Sequence, residues 1–329
     1  MTLIDDILEG LRLQSSVFCR MTLSGDWGFA KDALSGAPFH LLLSGRAWLR
    51  TDDGGDARPL GPGDIVILPR GERHHLLAQP GAGTVPFRQV SERMGLSPWK
   101  PGTRYKAVDL QFGTGGPTTT LISGIFAFGD HRRNPLLAAL PSVLVMSAAT
   151  ASAAGSAVAS ITSLLDAELL SGLPGAECVG ARLADILFIQ VVRHHLSSSA
   201  TLPQGWLRGI TDREVAPALA SMHRAPEQPW SVATLARAAG MSRSRFAARF
   251  QDIVGQAPLG YLTHWRMYQA AGRLAEGRVA LPAVAMSVGY QSEASFGKAF
   301  KRWAGRTPAE YRRGLSQHAW AVAETEVEA

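Results

Sequence analysis

A chain of 329 residues with 46% hydrophobic residues is long enough for two domains with a core in each. Its formal charge of +6 is unevenly placed: residues 221–315 hold fourteen Lys and Arg against five Asp and Glu, residues 1–220 hold nineteen of each, and the tail beyond 315 adds three Glu. Such asymmetry suits a nucleic-acid partner for the C-terminal part, and two cysteines, Cys19 and Cys178, exclude a disulfide framework or zinc-finger spacing and suit a reducing compartment.

The first ten residues, MTLIDDILEG, are acidic where a secretory signal is basic, so a cytoplasmic location is expected. From about residue 17 to 128 the chain has strand character: short apolar runs such as Phe39-His40-Leu41-Leu42-Leu43 and Ile65-Val66-Ile67-Leu68 are punctuated by Gly, Pro and Asp. That spacing suits a small antiparallel β-barrel or sandwich. A Gly- and Pro-rich loop is predicted over 79–106. Residues 134–165 carry no charge, but Pro135, Pro141 and a run of Ala, Ser and Thr deny them the sustained hydrophobicity of a spanning helix.

From about residue 151 the period becomes helical: Ile161, Leu164, Leu165 and Leu169, then Leu183, Ile186, Leu187 and Ile189, with Pro174 and Gly175 between the two helices. Two roles suit such a pair, dimerisation or packing on the barrel. The C-terminal part is predicted almost wholly helical, at 211–222, 231–239, 242–254, 258–276, 281–288, 292–303 and 308–315, with Pro at or near several starts.

Within those helices one pattern occurs twice, fifty residues apart. Leu235-Ala236, Ala239-Gly240-Met241-Ser242, Phe246 and Phe250 are echoed by Val284-Ala285, Val288-Gly289-Tyr290-Gln291-Ser292, Phe296 and Phe300. A short apolar helix ends at a glycine able to take positive φ, a serine caps the next helix, and aromatics four apart form its buried face. Each is a helix-turn-helix signature, and the second helix of each leaves a polar face for a DNA groove. The long helix between the two units would hold both recognition helices on one rigid domain, able to address successive major grooves about 34 Å apart.

Residues from about 218 to 313 resemble the DNA-binding domain of the AraC family of transcription regulators, through the run from Val288 to Lys301 and the closing Gly305-Arg306-Thr307-Pro308-Ala309-Glu310-Tyr311-Arg312. The resemblance implies double-stranded promoter DNA as partner. It places Arg243, Ser244, Ala247 and Ala248 of the first unit, and Glu293, Ala294, Ser295 and Lys298 of the second, where the recognition helices face bases. Ser242, Arg245 and Ser292 are further DNA-binding candidates of the two units, and Arg249 and Lys301 are either phosphate contacts or solvated charges. The alanines leave only apolar contact to a thymine methyl as direct readout, so base choice by the first helix would rest on its arginines.

Upstream, Gly63-Asp64-Ile65-Val66-Ile67-Leu68-Pro69-Arg70-Gly71-Glu72-Arg73-His74 resembles the second motif of the cupin barrels, G-x5-P-x-G-x2-H, while the first motif lacks its usual His-x-His pair and Glu. With residues 17–27 this looks like the cupin sensor of a subgroup of AraC-type regulators. Only His40 and His74 are then placed to converge, with His75 on the opposite face. Cys19 is the candidate third ligand of a zinc or other transition-metal site, against the alternative that the histidines line a small-molecule pocket. Members of the subgroup often have a cysteine at the position of Ser123, and serine here removes a fourth ligand or a disulfide partner for Cys19. Cys19 as a lone redox-sensitive thiol is a further alternative.

The expected fold is α+β in two domains: a cupin-like β-barrel sensor at 1–145, a helical connector at 146–205 suited to homodimerisation, an all-α domain with two helix-turn-helix units at 206–315, and an acidic tail at 316–329. The expected function is a non-enzymatic, sequence-specific regulator whose barrel senses a small molecule, metal or oxidant, without a membrane partner; the family favours activation, which would add RNA polymerase. A cupin metalloenzyme fused to a DNA-binding module and an architectural DNA-binding protein are the alternatives, the first weakened by the incomplete ligand set.

Overall fold

The computed structural model describes residues 13–53, 55–93, 106–128, 135–148, 155–198, 202–275, 277 and 279–314. The described residues fall in two compact units, 13–128 with 140–198, and 202–314 with 135–139. The acidic tail at 316–329 lies outside the described residues.

In the first unit the strands are β1 (Gln14–Ser24), β2 (Gly28–Lys31), β3 (Ala37–Ser44), β4 (Ala47–Thr51), β5 (Arg58–Leu60), β6 (Ile65–Ile67), β7 (His74–Leu77), β8 (Val85–Pro86), β9 (Val108–Phe112), β10 (Thr118–Ala127) and β11 (Leu144–Met146). They form two sheets, ordered β11-β6-β3-β10-β1-β9 and β5-β4-β7-β2-β8. Met21, Leu23, Trp27, Phe29, Leu42, Leu49, Leu76 and Leu121 fill one core cluster between them. A bulge between Val17 and Cys19 in β1 resets the alternation, so that Cys19, Met21 and Leu23 enter this core. The segment expected as a bare loop carries a helix, α1 (Phe87–Arg93), with Val90 buried; residues 94–105 of it are outside the described set.

A short helix α2 (Pro135–Ala139) belongs with the second unit, whereas the sequence placed it in the sensor; its Pro135 carbonyl accepts the indole N–H of Trp206 at 2.9 Å. The two connector helices, α3 (Gly155–Ser171) and α4 (Ala176–Ser198), fall in the same unit as the barrel. They cover the outer face of the first sheet. Phe188 meets Phe126 and Phe128 with ring centroids 5.0 and 5.4 Å apart, Arg20 donates to Asp166 at 2.7 Å, and Ser15 donates to Asp185. This two-sided cover explains why β3 and β10 are long apolar runs with little alternation: both of their faces are buried.

The second unit is helical: α5 (Trp206–Thr211), α6 (Ala216–Arg224), α7 (Val232–Ala238), α8 (Arg243–Val254), α9 (Pro258–Ala275), α10 (Leu281–Ser287), α11 (Glu293–Ala304) and a last helical stretch at 308–314. The helix predicted at 211–222 starts only at Ala216, as α6, and a separate helix, α5, ends at Thr211 where it was expected to begin. Asp212 takes extended backbone at the end of α5, and its Oδ1 accepts the amides of Glu214 and Val215 at 3.0 and 2.9 Å, a local turn that competes with helix. No helix among the described residues is long and apolar enough to cross a membrane.

Candidate nucleic-acid interface and sensor site

The two helix-turn-helix units repeat in three dimensions as they do in sequence. Gly240 and Gly289 turn the chain at φ 64° and 83°, and a Cβ at Gly289 would lie 2.6 Å from the Glu227 carbonyl oxygen, so only glycine fits there. Ser242 and Ser292 cap α8 and α11 by accepting the amides of Arg245 and Ser295 at 3.4 and 3.2 Å. Phe246, Phe250, Phe296 and Phe300 are fully buried, each stabilising its unit by about 1.5–3 kcal/mol. With those faces committed, Ser242, Arg243, Ser244, Arg245 and Ala248 are exposed on the first unit and Ser292, Glu293, Ala294, Ser295, Lys298 and Lys301 on the second; Ala247 and Arg249 are half-buried.

The basic side chains of these helices differ in what holds them. Arg245 is ion-paired to Glu214. Arg249 is surrounded by three carboxylates: Asp212 at 2.7 Å, Glu214 at 3.4 Å and Asp252 at 3.8 Å. Arg243, Lys298 and Lys301 make no ion pair among the described residues and project from exposed positions. Ser295 donates its hydroxyl to the Ser292 carbonyl at 2.9 Å, so its side chain also completes the cap. Nothing in the local sequence pattern of Asp212 and Glu214 marks them as partners of a helix more than thirty residues away.

Within the barrel, strand register places five polar side chains together. Cys19, Ser123 and His40 lie abreast on β1, β10 and β3, and Lys31 lies opposite His74 on β2 and β7 of the facing sheet. His40 Nδ1 is 2.6 Å from Ser123 Oγ, His40 Nε2 is 2.8 Å from His74 Nε2, and His74 Nδ1 is 3.0 Å from the Glu72 carbonyl oxygen. His75 turns outward, to Asp52 at 2.9 Å.

Both imidazoles are kept neutral. Burial, reinforced by the positive Lys31 and by His74, holds His40 well below the usual histidine range, and burial takes His74 down to about 4. One proton arrangement then follows. The Glu72 carbonyl only accepts, so His74 carries its proton on Nδ1 and presents a lone pair at Nε2. His40 therefore donates from Nε2, and its Nδ1 accepts from the Ser123 hydroxyl. The result is a one-way chain from Ser123 through His40 and His74 to Glu72.

This chain decides how well a metal fits. Both Nε2 atoms point at each other and are spent on one hydrogen bond, and burial raises the Cys19 thiol above its ordinary value, away from the thiolate a metal needs. Among the described residues no group of three or more His, Cys, Asp or Glu is arranged to hold a metal ion. Cys178 is exposed and distant in sequence from these groups.

Lys31 was missed in the sequence. Its Nζ lies 3.9 Å from the ring centroid of Phe87, and burial pushes its amine down to about 8 against the pull of Cys19. The signal that would have found it is the alternation Trp27, Phe29, Lys31, which puts the lysine on the same inward face as two core aromatics.

Residues 3–197 match a family described as a cupin, and residues 235–314 match one described as a helix-turn-helix domain. The chain is 35% identical over 314 residues to a protein of Streptomyces antibioticus named as an AraC-like transcription regulator, covering 94% of this chain and 98% of that one. It is 32% identical over 317 residues to the HTH-type transcriptional regulator AlkR of Acinetobacter baylyi, covering 95% and 99%. Among solved structures, the DNA-binding domain of AdpA in complex with a target DNA is 33% identical, covering 31% of this chain and 91% of that one, with a TM-score of 0.30.

Proposed function

The chain belongs to the AraC-type transcription regulators that carry an N-terminal cupin domain, and from that premise we propose that it is a homodimeric activator in the cytoplasm, switched by a small molecule bound in the barrel. The observation that supports DNA recognition most directly is the pair of capped, fifty-residue-offset helices α8 and α11, each with its aromatic face buried and its polar face exposed. Arg243, Ser244, Ala247 and Ala248 of the first and Glu293, Ser295, Lys298 and Lys301 of the second are the residues we assign to DNA, as base or phosphate contacts. The relatives are named as regulators, which does not favour the metalloenzyme alternative.

For the barrel we favour an organic effector over a metal. Zinc or another transition metal would have to shift the His40 proton to Nδ1, break the His40–His74 hydrogen bond and ionise a buried thiol at Cys19. Dimerisation is assigned to the α3–α4 hairpin, where Leu164, Leu170, Leu173, Val179 and Ile186 are exposed large hydrophobics. An effector acts by binding one arrangement of the dimer better than another, and a tenfold preference corresponds to about 1.4 kcal/mol. An activator would also present a surface to RNA polymerase.

The test is a selection of random duplex DNA on the full-length protein. A sequence with two motifs about 10 base pairs apart is the expected product, each motif answering one recognition helix. Recovery of unrelated sequences at salt-dependent, uniform affinity would leave only backbone binding and remove the sequence-specific reading.

A further inference from the structure

Lys31 is the one formally charged side chain in the barrel cluster of Cys19, Ser123, His40, His74 and Lys31, and it has no anionic partner among the described residues. No hydrogen bond or ion pair engages its ammonium among the described residues; its contact is the face of Phe87, with Nζ 3.9 Å from the centroid. A ring face satisfies a cation only in part, and a buried charge without a counter-ion is costly, so such a group persists where its charge is used. Its neighbours supply none: two imidazoles held neutral, a serine hydroxyl already donating to His40, and a thiol that burial keeps protonated. The residue as a whole is half-buried, but its ammonium end is enclosed by the barrel, so an acid that reached it would be enclosed as well.

The surroundings define the complement. Phe87 meets Phe29 edge-on with centroids 5.5 Å apart, Phe112 meets Phe29 at 5.1 Å, and Trp27 lies 5.7 Å from Phe29. An apolar aromatic wall beside one unpaired ammonium matches a ligand with a single acid group on an apolar body. We propose that Lys31 anchors the carboxylate of an aryl carboxylic acid effector, with Phe87 and Phe29 against the aromatic body. This deepens the sensor reading above and rests on it for its regulatory meaning, not for the binding itself. The amine would form a charge-assisted hydrogen bond to the acid, which an amide isostere of the ligand lacks.

The experiment uses the full-length chain and two probes, 1-naphthoate and the neutral 1-naphthamide, with affinities from equilibrium dialysis. The carboxylate should bind wild type and Lys31→Arg at least tenfold more tightly than the amide, and Lys31→Met should lose that preference. Lys31→Met alone should melt no lower than wild type, because it removes an unpaired charge. Equal binding of the two probes, absence of carboxylate binding, an unchanged preference in Lys31→Met, or a lower melting temperature of that variant would each overturn the proposal. DNA retention is then measured with and without naphthoate: binding at Lys31 that leaves DNA affinity unchanged keeps the site and removes the sensor reading.

Discussion

Arg249 Nη2 lies 2.7 Å from Asp212 Oδ2, while the other oxygen of the same aspartate takes the first free amides ahead of α6. One carboxylate thus ties the first recognition helix to the turn between α5 and α6. Asp212 is largely buried and Arg249 partly so, which lifts this contact above an ordinary surface ion pair. Replacing Asp212 with Ala should destabilise the DNA-binding unit by about 2–4 kcal/mol, combining the lost charged hydrogen bond with the lost cap-like turn. Denaturant melts of the full chain measure it; a loss below ~0.5 kcal/mol, the usual range for surface changes, would mean that α8 is seated without this contact.

Stability should fall with acid through the buried histidines. Burial holds His223 at about 3 and His74 at about 4, and His40 is lowered as well. Below an ordinary histidine pKa of about 6.5 the unfolded chain takes up protons that the folded chain refuses, so stability declines as pH falls from there toward the folded values, by about 1.4 kcal/mol per pH unit for each histidine. Above that point these groups are neutral in both states and contribute no slope. His223 bonds the Tyr261 hydroxyl and stacks on Trp265 with centroids 4.0 Å apart, so His223→Phe should flatten the decline while keeping the fold. Melting temperatures recorded from pH 7.5 to 5 that show no decline in the wild type would contradict this account.

The chain from Ser123 to Glu72 predicts opposite tautomers for its two histidines. Nitrogen-15 spectra of labelled protein at pH 7 should show His40 neutral with its proton on Nε2 and His74 neutral with its proton on Nδ1. One equivalent of zinc should leave both signals in place, because metal binding requires that hydrogen bond to break. Zinc-induced shifts of both rings, lost in His40→Ala, would restore the metal reading and remove the organic-effector one.

Dimerisation at the α3–α4 hairpin can be probed only through its outward positions. Leu187 sits on the predicted apolar stripe but is fully buried within its own unit, so a charge there would unfold the chain. Leu164 and Ile186 are exposed to 51% and 42%, and a Leu164→Arg/Ile186→Arg variant should sediment as a folded monomer. A dimer undisturbed by that pair of charges would place the interface elsewhere.

Local patterns were legible in the sequence and distant partnerships were not. Gly240, Ser242, Phe246 and Phe250 define a helix-turn-helix within eleven residues, and the same spacing fifty residues on gives the second unit without any knowledge of packing. The barrel was legible as a succession of strands, but β3 and β10 hide their inward faces because α4 buries the outer ones too. Ser123 and His40 are 83 residues apart, and Arg249 and Asp212 are 37 apart. Such pairs are set by strand register and by the α5–α6 break, neither of which has a short sequence signature. The helix expected from residue 211 begins at Ala216 instead because Asp212 sits in a stretch of acceptable helix formers, and its side-chain turn overrides their propensity.

The proposed recognition of DNA uses two helices with unequal sets of basic residues. The decisive measurement is the affinity of Arg243→Ala, Lys298→Ala and Arg245→Ala proteins for the selected duplex, set against a scrambled one at several salt concentrations. Arg243→Ala or Lys298→Ala should lose about 1–3 kcal/mol of binding if it contacts a base, mainly on the selected site, or reduce the salt slope by about one if it contacts a phosphate. Arg245→Ala should lose less, because Glu214 already holds that guanidinium. Unchanged affinity and unchanged salt slope in both the Arg243 and Lys298 variants would contradict the account, since neither recognition helix would then be reaching DNA through the side chains the fold leaves free.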